Sequence, residues 1–399
     1  MNTVDVLIIG GGPAGTSAAV WLADAGWKVV LVEQHAFPRQ KVCGECLPAG
    51  AFPLLDELGV GEQVRRLAGP PLRRVGWMDS DRSLLGDMPA SAAAAEPYGR
   101  AIGRDVLDTL LMARARIAAV DVRQPARVTA VRGSPGSFQC AIREGGSIDS
   151  ITAAVIIDAH GSWERGPRFA VPGAAPDPAD QPARSSDLLA FKATFTRSAL
   201  APGLLPVIAL PGGYGGMVIS SDGRTTVALC LRRDTLRAVR SRHRGVTAGI
   251  AVERYLRECC PGAAAALHGG ERQGSWLAVG PLRPGLRLAQ TPGIYRVGNA
   301  GAEAHPLVGE GMRMALQSSR TLAHDLSSNR LRAGHVGTRW RAAFKPRLRF
   351  AACYAHIAMR PMLATPVGRM LQQWPALLTT AAVLAGKARF PHVDPKEQA

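Results

Sequence analysis

One glycine-rich loop constrains the fold of this chain more than any other segment. Residues 4–9 form an apolar run that predicts a buried strand, and the sequence GGGPAG at 10–15 follows it directly. A helical segment at 16–26 then leads to a second apolar strand at 28–33. A strand, a loop, a helix and a second strand within about 30 residues predict the start of a parallel sheet in an α/β protein.

The spacing of this loop fits a dinucleotide-binding loop, the alternative being a glycine-rich turn that binds no nucleotide. In such loops the first glycine permits the tight turn, the second lets a pyrophosphate approach the backbone, and the third lets the helix pack closely on the strand. The pyrophosphate then lies at the helix N-terminus, where free N–H groups favour an anion. Glu33 ends the second strand, where a carboxylate can accept hydrogen bonds from a ribose. The loop residues predicted to contact the dinucleotide are Gly10, Gly12, Pro13, Ala14 and Gly15.

Two later segments accompany the loop in a fixed order. They are GRD at 103–105, which opens a predicted helix, and RVGNAGAEAHPLVGEGM at 296–312. Together with the loop they resemble flavoprotein monooxygenases of the p-hydroxybenzoate hydroxylase fold. The segments FPRQKVCGECL at 37–47 and PGGYGG at 211–216 are similar to the geranylgeranyl reductase-like branch of that group. The resemblance covers about 1–320 and implies FAD as the cofactor.

The resemblance implies an α/β fold with a Rossmann-type FAD-binding domain built on a parallel sheet. It also implies an inserted, mostly antiparallel β substrate domain and a C-terminal helical tail. We expect the FAD-binding domain at 1–70, 101–165 and 286–330, the substrate domain at 71–100 and 181–285, and a basic helical region at 331–399. Within the substrate domain the sequence predicts strands between 187 and 233 and one helix over 245–268.

For the cofactor, the resemblance implies contacts from the helix start and from the late block. Arg104 would meet phosphate or ribityl oxygens, and Asn299 would hold the ribityl chain where the family usually has an Asp. Pro306 would lie beside the flavin ring, and the following helix N-terminus would stabilise negative charge on the reduced ring. The contacts implied within this block are Gly298, Asn299, Pro306, Gly309, Gly311 and Met312.

One departure from the family bears on the electron donor. The Asp-Gly motif that usually ends the preceding strand is replaced here by Asp158-Ala159-His160. That motif is tied to both FAD and NAD(P)H handling in the family. The resemblance implies NAD(P)H as the electron donor, and this departure leaves the preferred donor, including the choice between NADH and NADPH, open.

A C-x-x-C sequence provides the first candidate catalytic residues. Cys43 and Cys46 flank Glu45 in a loop that the resemblance places near the flavin and the substrate. This spacing indicates either a redox-active pair or simple loop packing. No second C-x-x-C or H-x-x-x-H follows, so zinc is disfavoured and no metal site is expected.

Two histidines and two aromatic residues complete the candidate site. His160 lies at a strand end and His305 precedes the Pro306 of the late block. Histidine titrates near neutral pH and can move protons, while a structural role is the alternative for both. Tyr214 and Trp163 are predicted to line an aromatic substrate pocket, with packing in the core as the alternative.

These features predict an FAD-dependent monooxygenase that uses NAD(P)H and O₂ on a hydrophobic aromatic or polyketide-type small molecule. A geranylgeranyl reductase-like enzyme that saturates isoprenoid or lipid double bonds is the alternative. A halogenase is disfavoured because the Trp-x-Trp-x-Ile-Pro sequence of that relative is absent. A membrane-associated flavin-binding protein without turnover is the alternative from a different class.

The charge of the chain bears on its partners. The net charge of +17 comes from 48 Lys and Arg against 31 Asp and Glu, and 42 of the 48 are Arg. Excess Arg with abundant Ala, Gly and Pro is typical of GC-rich codons, and no nucleic-acid-binding module is present, so nucleic acid is disfavoured. The excess is concentrated after residue 320, where an apolar run also lies at 375–386. This pattern predicts peripheral contact with an anionic membrane, the alternative being helices packed on the body.

The cysteines and the N-terminus bear on location. The seven cysteines are odd in number and scattered, which disfavours a disulfide framework. The N-terminus lacks a signal-peptide pattern. We therefore expect a cytoplasmic protein, with contact to the inner face of the membrane as a second possibility and no preferred oligomeric state.

Overall fold

The computed structural model describes residues 2–91, 96–171, 182–287, 291–328 and 335–387. The strands, in chain order, are β1 (Asn2–Ile9), β2 (Val29–Val32), β3 (Cys46–Leu47), β4 (Arg74–Met78), β5 (Ser83–Asp87), β6 (Arg100–Ala101), β7 (Asp121–Arg123), β8 (Ala126–Ser134), β9 (Ser137–Glu144), β10 (Ser147–Asp158), β11 (Arg168–Ala170), β12 (Leu188–Thr196), β13 (Leu204–Leu210), β14 (Gly213–Ile219), β15 (Thr225–Arg232), β16 (Glu271–Leu282), β17 (Gly285–Leu286), β18 (Ile294–Arg296) and β19 (Ala302–Glu303). The helices are α1 (Pro13–Asp24), α2 (Phe52–Glu57), α3 (Gly61–Leu67), α4 (Arg104–Ile117), α5 (Arg233–Arg242), α6 (Ala248–Cys259), α7 (Pro261–Ala266), α8 (Gly311–Ser327), α9 (His335–Ala358), α10 (Pro361–Gln373) and α11 (Ala376–Leu384). The predicted tail residues 331–334 and 388–399 lie outside the described ranges.

The first sheet has a parallel centre, as the sequence predicts. Its order is β11-β8-β9-β10-β1-β2-β7, and β18 pairs with the C-terminal half of β10. Strands β18, β10, β1, β2 and β7 run parallel, while β8, β9 and the first half of β10 form an antiparallel extension. Alternate residues of β1 point to opposite faces. Val6 and Ile8 therefore pack with α1, α4 and α8, whereas Leu7 packs with β8 and β9.

The second sheet is mostly antiparallel, again as predicted. Its order is β16-β12-β15-β14-β13-β4-β5, and only β4 and β13 run parallel. One face packs on α5, α6 and α7 through residues such as Phe191 and Leu229. The opposite face, which includes Trp77 and Tyr214, packs on the C-terminal helices. All seven strands fall within 74–87 and 188–282.

The C-terminal helices join the two sheets. Trp340 and Phe344 of α9 pack in the core under the first sheet. Ala355 at the other end of α9 packs on the second sheet, together with Leu371 of α10 and Leu378 of α11. No helix within the described ranges is long and apolar enough to cross a lipid bilayer.

The secondary structure differs from the sequence-based expectation in three places. The single helix expected over 245–268 is divided into α6 and α7, because Pro261 cannot continue the hydrogen bonding of α6 and begins a new helix instead. Helix α5 is not predicted from the sequence, since it is short and strongly polar and Val239 is its only buried residue. Strand β11 extends the first sheet beyond residue 165.

Candidate cofactor and substrate site

The loop after β1 requires glycine at two positions. Gly10 has a positive φ of 102°, and a Cβ there would lie 2.6 Å from the carbonyl oxygen of Ala159. A Cβ on Gly15 would lie 1.8 Å from the carbonyl oxygen of Gly10. Gly12 caps α1 without a side-chain acceptor, so the first N–H groups of the helix are available to an anion. The loop thus fits a pyrophosphate.

Positive side chains lie beside this helix N-terminus. The Arg104 guanidinium reaches to 3.6 Å from the position of a Gly12 Cβ and donates two hydrogen bonds of 2.7 Å to Asp108. Burial opposes the Arg104 charge, but the Asp108 carboxylate outweighs it and raises the pKa of Arg104. Arg39, which sequence reasoning missed, lies 3.3 Å from the Glu33 carboxylate. Both arginines line the same cleft and can bind phosphate.

Glu33 holds the glycine loop from the side. The N–H of Gly11 donates to Oε2 of Glu33 at 2.7 Å, and the N–H of His35 donates to Oε1 at 2.8 Å. The side chain is buried yet lines the cleft. A carboxylate has about four lone-pair sites, so Glu33 can also accept a hydrogen bond from a ribose.

A second helix N-terminus opens on the cleft from the late block. Gly298 has a φ of 58° and donates to Ser318 Oγ at 3.0 Å, which holds the turn that carries Asn299. Gly309 has a φ of 60° and precedes Gly311, the first residue of α8. The N-termini of α1 and α8 therefore both contribute to one open cleft of about 1430 Å³. This cleft has the loop, charges and helix ends that a flavin dinucleotide requires.

Most of the predicted site residues line this cleft. They are Gly10, Gly12, Pro13, Ala14, Glu33, Cys43, Glu45, Cys46, Arg104, His160, Trp163, Gly298, Asn299, His305, Pro306, Gly309, Gly311 and Met312. Two predicted residues lie elsewhere: Gly15 packs beneath the loop, and Tyr214 lines an adjoining cavity.

The C-x-x-C loop is anchored by a buried ion pair. Both thiols are free, and Glu45 between them has a φ of 58°. The Glu45 carboxylate pairs with the Lys192 ammonium and accepts hydrogen bonds from Thr226 Oγ1 at 2.5 Å and from the N–H of Arg104 at 3.2 Å. Glu45 and Lys192 are each only 2% exposed. These contacts indicate that Glu45 positions the loop, and Lys192 is a site residue that sequence reasoning missed.

A second cavity of about 670 Å³ adjoins the cleft. Cys43, Cys46, Trp163, Pro306 and Gly309 line both spaces. Strands β12 to β15 supply the rest of the wall, which is mainly apolar: Ala190, Phe191, Leu205, Val207, Met217, Val218 and Leu229. A hydrophobic ligand in this cavity would therefore lie against the cofactor cleft.

Tyr214 and His305 form the polar contact between these two spaces. The Tyr214 hydroxyl and His305 Nδ1 are 3.0 Å apart. Burial, with a contribution from Cys230, raises the pKa of Tyr214 well above its usual value. Burial lowers the pKa of His305 to about 4. Both groups are therefore neutral at pH 7, so the pair can share or pass a proton without holding a charge.

The lowered pKa of His305 predicts a pH-dependent contribution to stability. The unfolded histidine has a pKa of about 6.5 and binds a proton that the folded one rejects until about pH 4, so stability falls as pH falls through that window. Between neutral pH and pH 4, we expect the free energy of unfolding of His305→Asn to fall by about 2 kcal/mol less than that of the wild type. Urea unfolding across this range measures the difference. Equal pH dependence of the unfolding free energy in both proteins would show that burial does not lower the pKa of His305 in the folded protein.

His160 and Trp163 are held by carboxylates at the cleft. His160 Nδ1 contacts the Asp158 carboxylate, and Arg296 Nε lies 3.6 Å from the same group. Burial opposes ionisation of Asp158, but His160 and Arg296 outweigh it and lower the pKa of its carboxyl. Trp163 Nε1 donates at 3.2 Å to Glu303, a buried residue that sequence reasoning missed although it lies in the late block. Among the described residues, no cluster of three or more His, Cys, Asp and Glu could hold a metal ion.

Parts of this chain are similar to known enzymes in sequence. Menaquinone reductase of Mycobacterium tuberculosis H37Rv is 43% identical over 61 residues, which is 15% of this chain and 15% of that protein. The 3-hydroxybenzoate 6-hydroxylase 1 of Aquipseudomonas alcaligenes is 29% identical over 165 residues, covering 40% of this chain and 41% of that one. Less than half of either relative's length is therefore matched.

The fold is shared along nearly the whole chain. The structure of the myxobacterial chondrochloren halogenase, a variant of the FAD-dependent halogenases, superposes with a TM-score of 0.75 at 19% identity. The superposition covers 96% of this chain and 91% of the halogenase. The profile of the FAD binding domain family matches residues 3–268, about two thirds of the chain. This protein is a member of the FAD binding domain family, with the fold of FAD-dependent oxidoreductases.

Proposed function

We propose that the protein is an FAD-dependent monooxygenase that hydroxylates a hydrophobic aromatic or polyketide-type molecule, with NAD(P)H as the electron donor. The apolar cavity of about 670 Å³ beside the cofactor cleft is the observation that carries this proposal. The similarity to 3-hydroxybenzoate 6-hydroxylase 1 supports an aromatic substrate. Bound FAD would supply electron transfer and oxygen activation.

The residues of the chain would bind and orient the cofactor. The loop at Gly12 and the guanidinium groups of Arg39 and Arg104 would hold the pyrophosphate, and Glu33 the ribose. Asn299 would contact the ribityl chain, and the N-terminus of α8 would favour negative charge on the ring system.

Other residues would act on the substrate. Ala190, Leu205 and Val207, on the face of the second sheet opposite α5–α7, would exclude water from the cavity and pack against an apolar molecule. The Tyr214 hydroxyl, held by His305 at 3.0 Å, would donate or accept a hydrogen bond at a polar group of the substrate. Its neutral state favours orientation and proton sharing over charge stabilisation.

The thiols favour reduction of a lipid double bond as a second candidate function. Cys43 and Cys46 line both the cleft and the cavity. Burial raises the pKa of Cys46, although Lys387 acts in the opposite direction, so the thiol keeps its proton at neutral pH. A protonated thiol at this place could supply a proton during reduction, and the partial similarity to menaquinone reductase agrees with such a role.

Oxygen use distinguishes these functions. The purified protein with FAD is mixed with NADH or NADPH and a panel of aromatic polyketides and isoprenoid quinones, with and without O₂. A monooxygenase consumes one O₂ for each hydroxylated product and forms none anaerobically. Anaerobic formation of a saturated product would replace the proposal with the reductase. A flavin that no donor reduces with any of these compounds would indicate a binding protein without turnover.

A further inference from the structure

We propose that helix α10 carries a docking face for an anionic lipid surface. The face consists of Met362, Leu363, Arg369 and Met370 on α10 together with Trp374 just after it, and we call it the α10 face. The proposal concerns where the protein is held and does not depend on which reaction it catalyses.

The apolar side chains of this face have no cover within the described chain. Met362 is 89% exposed, Met370 40% and Trp374 58%. Met362, Arg369 and Met370 occupy positions i, i+7 and i+8, so they lie on one side of the helix. Trp374 follows Met370 by four residues. Large exposed apolar groups gathered on one helix side indicate an interaction surface, whereas single ones are ordinary.

Packing on the opposite side fixes the direction of this face. Ala364, Gly368 and Leu371 are buried against the second sheet. A Cβ on Gly368 would lie 2.5 Å from the Asp79 carboxylate and 3.4 Å from Trp77 Nε1, so α10 lies directly on the sheet. The helix cannot turn its apolar side inward without losing this contact. Met362, Met370 and Trp374 are therefore held outward by the fold.

The charge around the face favours an anionic partner. Residues 335–387 contain no Asp or Glu, although they contain Arg360 and Arg369 on or beside α10. The neighbouring β4–β5 turn brings one exposed acid, Asp81, which lies 3.6 Å from Arg82. The local field is thus positive.

This combination fits lipid better than a second copy of the chain. A symmetric dimer across the α10 face would place Arg369 of each copy near that of the other, with no carboxylate from residues 335–387 to separate them. An anionic bilayer supplies the missing negative charge and an apolar phase together. Trp at the headgroup level and Met below it, flanked by Arg, are typical of interfacial helices.

The structure also changes which tail residues would meet the membrane. The apolar run at 375–386 is the most hydrophobic part of the tail. Leu378 and Ala382 in that run are buried against the second sheet, so these two side chains belong to the core. The α10 face, which lies before this run, supplies most of the large exposed apolar side chains of the tail, and Leu384 within the run is exposed as well.

Vesicle binding tests the proposal on the full chain with FAD bound. Co-sedimentation is measured with vesicles of phosphatidylcholine alone and of equimolar phosphatidylcholine and phosphatidylglycerol. We expect binding to the anionic vesicles, weakened by high salt and by omission of phosphatidylglycerol. The double variant Met362→Gln/Trp374→Gln should bind about tenfold more weakly. Ile117→Gln, which removes an apolar side chain that is 79% exposed on α4, should bind as the wild type does.

Two further measurements distinguish a loss of lipid binding at the α10 face from a loss of folding or of cofactor. Trp emission should shift to the blue when anionic vesicles are added to the wild type, and the shift should shrink in Trp374→Phe. Equal melting temperatures and flavin content in the variants would show that the fold is intact. Absence of wild-type binding, or equal loss of binding in Ile117→Gln, would overturn the proposal. A dimer in solution that Met362→Gln dissociates would assign the face to a second copy and also overturn it.

Discussion

Gly15→Ala is expected to remove FAD from the purified protein. The new methyl group would lie 1.8 Å from the carbonyl oxygen of Gly10, so the loop and helix α1 must move apart. A backbone shift of this kind misplaces the N–H groups that would bind the pyrophosphate. Losing two charged hydrogen bonds costs about 3 kcal/mol or more, which corresponds to roughly 100-fold weaker FAD binding. Flavin absorbance after gel filtration and titration of the apoprotein with FAD measure the loss.

Gly26→Ala is the matched control for this variant. Gly26 ends the same strand–helix unit with a φ of 86°, and a Cβ there meets nothing within 4 Å. This variant should carry backbone strain of about 1 kcal/mol and still retain FAD. If Gly15→Ala kept its flavin as tightly as Gly26→Ala does, the loop would not be the pyrophosphate site.

Lys192→Met is expected to cause the largest loss of folding stability. Its removal would leave the Glu45 carboxylate buried and without its counter-charge, although the hydrogen bonds from Thr226 and the N–H of Arg104 would remain. Breaking a buried ion pair by removing one partner typically costs about 3–5 kcal/mol. Since Glu45 lies in the loop that lines the cleft, FAD retention should fall as well. Chemical unfolding of the apoprotein separates the two effects.

A double variant tests whether the cost comes from the unpaired charge. Lys192→Met/Glu45→Gln removes both charges, and replacing a whole buried pair is often nearly neutral. The double variant should therefore recover most of the stability that Lys192→Met loses. Arg66→Met breaks the exposed pair of Arg66 with Glu62 and should change stability little. A double variant as unstable as Lys192→Met would show that packing of the lysine stem, and not charge, is responsible.

The buried pair also shows where reasoning from sequence ends. Glu45 was a candidate because it stands between two cysteines in a loop with family resemblance. Lys192 is 147 residues away and lies in a strand whose apolar neighbours predict only a buried position. The contact forms because β12 and β15 pair in one particular register, which brings Lys192 and Thr226 beneath the loop. Sequence spacing contains no signal for such a register.

The contact between Tyr214 and His305 beside the cavity also could not be predicted from the sequence. Tyr214 and His305 are 91 residues apart, and each was predicted only as a separate candidate. Their contact depends on how the second sheet packs against the turn before α8. The neutral state of His305 follows from that burial and not from the type of residue.

The dinucleotide loop, the order of the elements around it and the α/β fold can all be predicted from the amino-acid sequence. These follow from local physics, because the loop needs glycine at fixed spacings and each strand or helix carries its own apolar period. The folded chain sets contacts that the sequence does not predict: Glu45 with Lys192, Tyr214 with His305, and the tail helices with the second sheet. The same packing leaves some apolar residues of the tail exposed to solvent. Those outcomes depend on long-range packing, which buries one side of α10 and leaves Met362 and Trp374 exposed to solvent.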